Sequence, residues 1–276
     1  MDFSLSEERK MLQETVARFF ENNYKDIKKR GEYLDMNDGF SREFWKESSN
    51  LGVISGLISP TFGGLGGSGE DISIIFELIG KSLCIEPFLS CGILSSTILT
   101  SIKSPKTELI NQIIDGELLI SFAHMEMNNR YEDNFVETKA FLENDNWKLN
   151  GNKSFVINGD SADKVIVSAR IDGEINDKNG IGLFLVDTNQ ITRRSYNTID
   201  GYRAAELNFD NVNAELLCKN DLALECIIKA NSTGALALSA EAVGIMQVCF
   251  DLTLDYLKTR KQFGKSIGAF QSIQHR

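Results

Sequence analysis

A chain of 276 residues, 42% hydrophobic and 25% charged, has room for one large domain or two to three small ones, and its composition excludes disordered and fibrous classes. A net charge of −10 argues against a nucleic-acid partner, which would need clustered Lys and Arg. Five cysteines (Cys84, Cys91, Cys218, Cys226 and Cys249) are odd in number and form no C-x-x-C pair, so no disulfide framework or zinc site is expected and a reducing, cytoplasmic setting fits.

The N-terminus, MDFSLSEERK, lacks an apolar leader run. Ser4 and Glu7 have the spacing of a capping box, and Leu5, Leu12, Val16, Phe19 and Phe20 then share one helical face. A second helix is expected over Arg42 to Asn50, anchored by Phe44 and Trp45. A third, from Glu70 to Leu83, carries Ile72, Ile75, Phe76 and Ile79 on one side. Short helices fill Ile93 to Gly116, up to a turn at Asp115-Gly116.

Beyond Gly116 the period changes to that of strands, at Leu118–Phe122, Val136–Leu142, Trp147–Leu149, Ser154–Ile157, Lys164–Ala169, Ile181–Val186 and Ala205–Phe209. Asn150-Gly151 reads as a two-residue hairpin turn. Such spacing predicts a β-barrel or sandwich. From Asp221 to about Gln262 the helical period returns, apolar on most sides between Leu236 and Leu257. Glu241 and Gln247 within its most apolar run favour a bundle helix over a membrane span. Such a helix, ~60 Å at 1.5 Å per residue, needs partner helices, and Ile267–Arg276 supplies too little. The expected class is therefore α+β: an N-terminal all-α domain (1–117), a middle β-barrel or sandwich domain (118–215), and the start of an incomplete C-terminal helical bundle (221–276).

Among motifs, Gly64 to Gly69 (GLGGSG) matches G-x-G-x-x-G before a helix, with Val53–Ile58 as a conceivable preceding strand and Glu86 as a conceivable ribose acid. Ser59–Phe62 intervenes and no βαβ series follows, so a glycine-rich loop between helices is the better reading. His124 and His275 are the only histidines, and no metal cluster or Ser/His/Asp signature emerges. Lys153–Gly159 (KSFVING) is a strand entering a turn, with Phe155 either in the core or forming a wall for a flat aromatic cofactor. Arg260 and Lys261 suit a helix C-terminus in any protein, and Arg260 can fork onto a phosphate.

The pattern R-x-Q-F-G-x-x-I-x-x-F-Q, here Arg260 through Gln271, resembles the acyl-CoA dehydrogenase family. Pro60-Thr61-Phe62-Gly63-Gly64 and Asn150-Gly151-Asn152-Lys153 join it, and the resemblance covers the whole chain. It implies FAD held in a cleft between middle and C-terminal domains of a homo- or hetero-oligomer, an acyl-CoA substrate, and electrons passed to an electron-transfer flavoprotein. A local basic pocket would hold the CoA phosphates despite the acidic whole. By position, Phe122, His124 and Met125 match the family's first flavin-binding loop, and Phe155 and Ile157 its second. Arg260, Gln262, Phe263 and Gln271 match residues that reach a neighbouring subunit's FAD, and Tyr131 stands where a CoA-contacting serine is usual.

Departures accompany the likeness. The family's T-E-P-x-x-G-S-D is Met125–Glu132 here (MEMNNRYE), and its W-I-T/S is Phe155-Val156-Ile157, so the flavin-bonding hydroxyl is gone. Most members carry the catalytic glutamate near the C-terminus, in a segment this chain lacks. Others carry it on the long helix, where Gly234 stands, and Glu241, about two turns away, faces elsewhere. No catalytic residue is assigned, and the chain reads as truncated within its last domain.

Overall fold

Residues 5–129 and 131–275 are described by a computed structural model. Of the residues read above, Ser4, Arg130 and Arg276 lie outside them. The first helix, α1 (Glu7–Tyr24), starts where Ser6 Oγ accepts from the Arg9 N–H, with Glu7 and Glu8 at its positive end. Val16, Phe20 and Tyr24, each one turn on, bury one stripe. Helix α2 (Ile27–Leu34) follows, then α3 (Arg42–Asn50), whose Ser41 cap accepts from Phe44 N–H at 3.1 Å. The α3 bounds are those expected from the sequence. Phe19 stacks on Phe44 with ring centroids 4.6 Å apart, joining α1 to α3.

Val53–Ile58 forms a 3-10 turn (Ser55–Leu57) rather than a strand. The glycines after it lie against that turn's backbone: a Cβ on Gly64 would stand 1.8 Å from the Ile58 carbonyl oxygen, and one on Gly66 2.4 Å from that of Gly56. Glu86 is buried and accepts the Tyr24 hydroxyl at 2.6 Å, so it faces no ribose. The loop is thus a packing device. It leads into α4 (Gly69–Ser82), opened by a complete Ser68/Asp71 capping box. A π-helical segment (Phe88–Ser95) runs into α5 (Ser96–Ser101), and α6 (Thr107–Ile114) ends before Gly116, at φ +68°.

The middle of the chain holds β1 (Ile120–Ala123), β2 (Lys139–Glu143), β3 (Asn146–Ile157), β4 (Lys164–Arg170), β5 (Ile181–Asp187), β6 (Thr192–Asn197) and β7 (Arg203–Lys219). Strands β4, β2, β3, β7 and β5 pair in that order, and β5 returns to β4, closing a small barrel. Strand β1 lies parallel to β4, and β6 lines the edge of β7. The interior is filled by Leu149, Val156, Val165, Val167, Phe184 and neighbouring apolar side chains.

The hairpin expected at Asn150-Gly151 is corrected. Strand β3 runs straight through that pair, and the turn between β2 and β3 lies at Asn144-Asp145, both at positive φ (48° and 62°). Gly151, at φ +144°, sits where β3 shifts register against β7, and a Cβ there would meet Thr138 Cα at 2.7 Å.

The long helix, α7 (Asp221–Thr259), crosses α4 closely enough that each needs a glycine. A Cβ on Gly80 would stand 2.0 Å from the Glu241 carbonyl oxygen, and one on Gly244 2.0 Å from that of Glu77. By length and composition α7 is apolar enough to cross a membrane. Its buried residues form one stripe (Ala223, Cys226, Ile227, Ala230, Gly234, Ala237, Gly244), while Met246, Phe250 and Leu252 on other faces are exposed. The helix stops at Thr259, short of the expected Gln262. Arg260 is extended, and Lys261–Gln262 (β8) pairs with Lys265–Ser266 (β9) around Phe263-Gly264, both at positive φ. A one-turn helix, α8 (Gln271–Gln274), follows.

Candidate functional site

Where the π-helical segment, the barrel and α7 meet, a cleft of about 480 Å³ opens, lined by Phe122, His124, Met125, Phe155 and Ile157 of the barrel. Ser90 and Leu94 form its helical side, Asn231 its α7 side and Tyr131 its rim. The five barrel residues expected to touch flavin are thus brought into one wall. In β3 the pleat explains part of this: Val156 points into the barrel core, so Phe155 and Ile157 point out. Phe155 is half exposed in the cleft, so it is a wall rather than core. Tyr131, 90% exposed and at φ +70°, stands over the opening.

The wall rests on a buried charged network. Lys153, 0% exposed inside the barrel, pairs with Glu126 at 2.7 Å. The Glu126 carboxylate also accepts the Glu137 N–H at 2.6 Å, the Thr138 N–H at 3.0 Å and the Thr138 hydroxyl at 2.7 Å. Burial pushes the Glu126 carboxyl up, but the Lys153 ammonium and these donors outweigh it and hold it below the usual range. Burial pulls Lys153 down, offset in part by Glu126. Lys153 Nζ also donates to the His124 carbonyl at 3.2 Å and to Ser168 Oγ at 2.9 Å. This pins the segment after β1 that carries His124 and Met125. His124 stacks parallel on Phe122, with centroids 5.6 Å apart. Its burial, and then the Lys153 charge, lower its pKa to about 3, so the ring is neutral at any physiological pH.

Among the described residues, no carboxylate, lysine or arginine lines the cleft. Gly234 lies buried beside it, but a Cβ there would meet Leu94 Cδ2 at 2.9 Å, so leucine fills the space in which a longer side chain would project. Glu241 does not line the cleft; its turn of α7 packs on α4, and burial, with Asp200 nearby, raises its pKa to about 7. Arg260, Gln262, Phe263 and Gln271 are not part of the cleft either. They are exposed (Phe263 at 92%) beyond the far end of α7, roughly 42 Å along the helix from Asn231 at 1.5 Å per residue. The structure therefore divides the expected cofactor residues into two groups that no one site in this chain joins.

Three cleft residues escaped the sequence reading: Ser90, Leu94 and Asn231. Ser90 donates to Asn158 Oδ1 at 2.8 Å and Asn231 to Asp133 Oδ1 at 2.6 Å, tying the helical side and α7 to the barrel loops. No spacing signalled Ser90 or Leu94, which lie in a π-helical segment. Asn231 is exposed at the edge of the buried stripe of α7, next to Ala230, and polar residues are common there, so it gave no signal either.

An apolar, partly aromatic slot with one buried polar ring suits a flat, conjugated ring system, and the walls named above fit an isoalloxazine. Comparison with known proteins agrees. Residues 6–105, 121–212 and 224–276 match the N-terminal, middle and C-terminal domains of acyl-CoA dehydrogenase. The chain belongs to the acyl-CoA dehydrogenase family, oxidoreductases of CH–CH groups whose members bind FAD.

Among its relatives, mitochondrial isovaleryl-CoA dehydrogenase of Pongo abelii is 29% identical, over 98% of this chain and 67% of that protein. The short-chain-specific acyl-CoA dehydrogenase of Clostridium acetobutylicum is 26% identical, over 99% of this chain and 74% of that one. In fold, butyryl-CoA dehydrogenase from Megasphaera elsdenii superposes with a TM-score of 0.88 at 22% identity, over 100% of this chain and 75% of that one.

Proposed function

We propose that this chain is a subunit of an oligomeric enzyme that removes hydrogens from the α and β carbons of an acyl-CoA thioester and passes the electrons to an electron-transfer flavoprotein. The observation that carries the reading is the convergence of Phe122, His124, Met125, Phe155 and Ile157 on one apolar cleft facing α7. Bound FAD would supply hydride acceptance. The chain's own part is to hold the ring against Phe155 and Ile157, to exclude water with Leu94, Phe122 and Met125, and to keep the wall rigid through Glu126 and Lys153. Tyr131 at the rim is positioned to meet the CoA portion. Arg260, Gln262, Phe263 and Gln271, remote from this cleft, would contact the FAD of a neighbouring subunit.

Within the family, Gly159–Asp163, Gly180–Asp187, Asp200–Glu206 and Tyr256–Arg276 resemble the small subunit of pimeloyl-CoA dehydrogenase, which favours a mixed assembly with a second acyl-CoA dehydrogenase subunit. One observation favours a second reading: among the described residues, no carboxylate lines the cleft to take the α-proton. On that reading the chain is a non-catalytic partner that completes another subunit's FAD site through Arg260 to Phe263. Flavin absorbance of the purified chain, alone and with a full-length acyl-CoA dehydrogenase subunit, separates the two. Colour retained by the chain alone supports the first, colour only in the mixture supports the second, and no flavin in either refutes both.

A further inference from the structure

Buried lysine, serine and histidine meet behind the cleft wall in a chain of hydrogen bonds whose direction can be worked out. Lys153 Nζ has three protons and no lone pair to offer. Its three partners are Glu126 Oε1 at 2.7 Å, Ser168 Oγ at 2.9 Å and the His124 carbonyl at 3.2 Å. Ser168 Oγ must therefore accept from Lys153, which leaves its own proton to give. Among the described residues its other partner is His124 Nδ1, at 2.9 Å.

Were Nδ1 protonated instead, the fully buried Ser168 hydroxyl would have no acceptor. Protonating both nitrogens would set a second cation near Lys153 in a site closed to water. Donation from Ser168 into Nδ1 therefore places the single ring proton on Nε2. That atom is buried and has no partner among the described residues, although His124, 4% exposed, is itself part of the cleft wall. The other barrel side chains in that wall (Phe122, Met125, Phe155 and Ile157) have no hydrogen to donate.

We propose that Lys153 and Ser168 lock His124 as the neutral Nε2–H tautomer, and that this N–H is the donor which the barrel wall presents to a carbonyl oxygen or ring nitrogen of the bound flavin. His124 is then a positioning residue whose proton location is fixed from inside the barrel, so the donor persists across the physiological pH range. The ligand half of the proposal rests on the FAD reading above; the tautomer half does not.

The test begins on the cofactor-free chain, with long-range ¹H–¹⁵N correlation of the imidazole nitrogens, in which a protonated Nε2 and a bare Nδ1 are expected. A protonated Nδ1 overturns the relay. FAD affinity is then measured for wild type, His124→Phe and His124→Gln. Phenylalanine keeps a flat ring for stacking on Phe122 but lacks the donor, and a roughly tenfold weaker affinity is expected; the glutamine amide restores most of it. The oxidised-to-reduced midpoint potential should fall in His124→Phe and return in His124→Gln, which a packing role alone would not produce. A His124→Phe chain that is folded by circular dichroism and equal to wild type in both FAD affinity and potential overturns the ligand half. A wild-type chain that stays colourless with every partner overturns the FAD reading and that half with it, while the nitrogen shifts still decide the tautomer.

Discussion

Replacing Glu126 by glutamine removes one charge and leaves the shape almost unchanged, which makes it the sharpest probe of the network under the cleft. At 2.7 Å from Lys153 the carboxylate supplies roughly 6 kcal/mol of Coulomb attraction at an effective dielectric of about 20. Much of that only offsets the desolvation of an ammonium with no exposure. Glutamine keeps one acceptor oxygen where the carboxylate uses two: Oε2 takes the Glu137 N–H, while Oε1 takes Lys153, the Thr138 N–H and the Thr138 hydroxyl. Its amide must turn a donor toward one of those donors, and the Lys153 charge is left unpaired.

The expected cost at neutral pH is about 3–5 kcal/mol of unfolding free energy, read as a lowered urea midpoint with unchanged slope. Adding Lys153→Met should return part of the loss, because the orphaned charge goes with it. A Glu126→Gln chain within about 1 kcal/mol of wild type, or a double variant worse than the single one, refutes the argument that the pair is a coupled, mutually required unit.

Burial lifts the Glu86 carboxyl to about 7 from a usual 4.5. The fold therefore holds a proton that the unfolded chain has lost between those values, and stability should fall by about 3 kcal/mol as pH rises from 4.5 to 7, then level off. Glu241, also raised to about 7, adds a slope of the same sign, so Glu86→Gln should remove only the Glu86 share in denaturant titrations; an unchanged slope would assign it to Glu241 and other groups. Gly80→Ala forces a methyl to within 2.0 Å of the Glu241 carbonyl unless α4 and α7 part, and should cost about 2–3 kcal/mol by thermal or urea melting. Under the proposed oligomer, Arg260→Ala should weaken flavin retention more than Lys261→Ala in a gel-filtration absorbance assay, and equal retention would remove the role given to Arg260.

Much of the helical framework was legible because its signals were local. Phe44 and Trp45 place α3, and the apolar stripe Ile72, Ile75, Phe76 and Ile79 places α4, while the caps that open them, Ser41 and Ser68 with Asp71, went unread. The barrel was less so. Asn150-Gly151 carries the strongest two-residue turn signal, yet β3 must pass through it to pair with β2 and then β7, and the glycine serves a register shift instead. The true turn, Asn144-Asp145, uses two residues that merely tolerate positive φ.

Lys153 was readable in hindsight. It shares strand parity with the buried Leu149, so a lysine on that face required an acidic partner, and Glu126 is that partner. The approach of the π-helical segment and α7 to the barrel depends on contacts distant in sequence, such as Ser90 with Asn158 and Asn231 with Asp133. No local pattern encodes them.

The reach of α7 has a genetic consequence. With Asn231 at the cleft and the end of the helix, just before Arg260, roughly 42 Å further along, damage at one end leaves the other end of that copy intact. In the proposed assembly, a copy crippled at Phe155 and a copy crippled at Arg260 would each hold half of what the other lacks. Co-expressed, two inactive alleles would rebuild one sound pocket between them, and part of the yellow colour would return to a mixture whose parents had none.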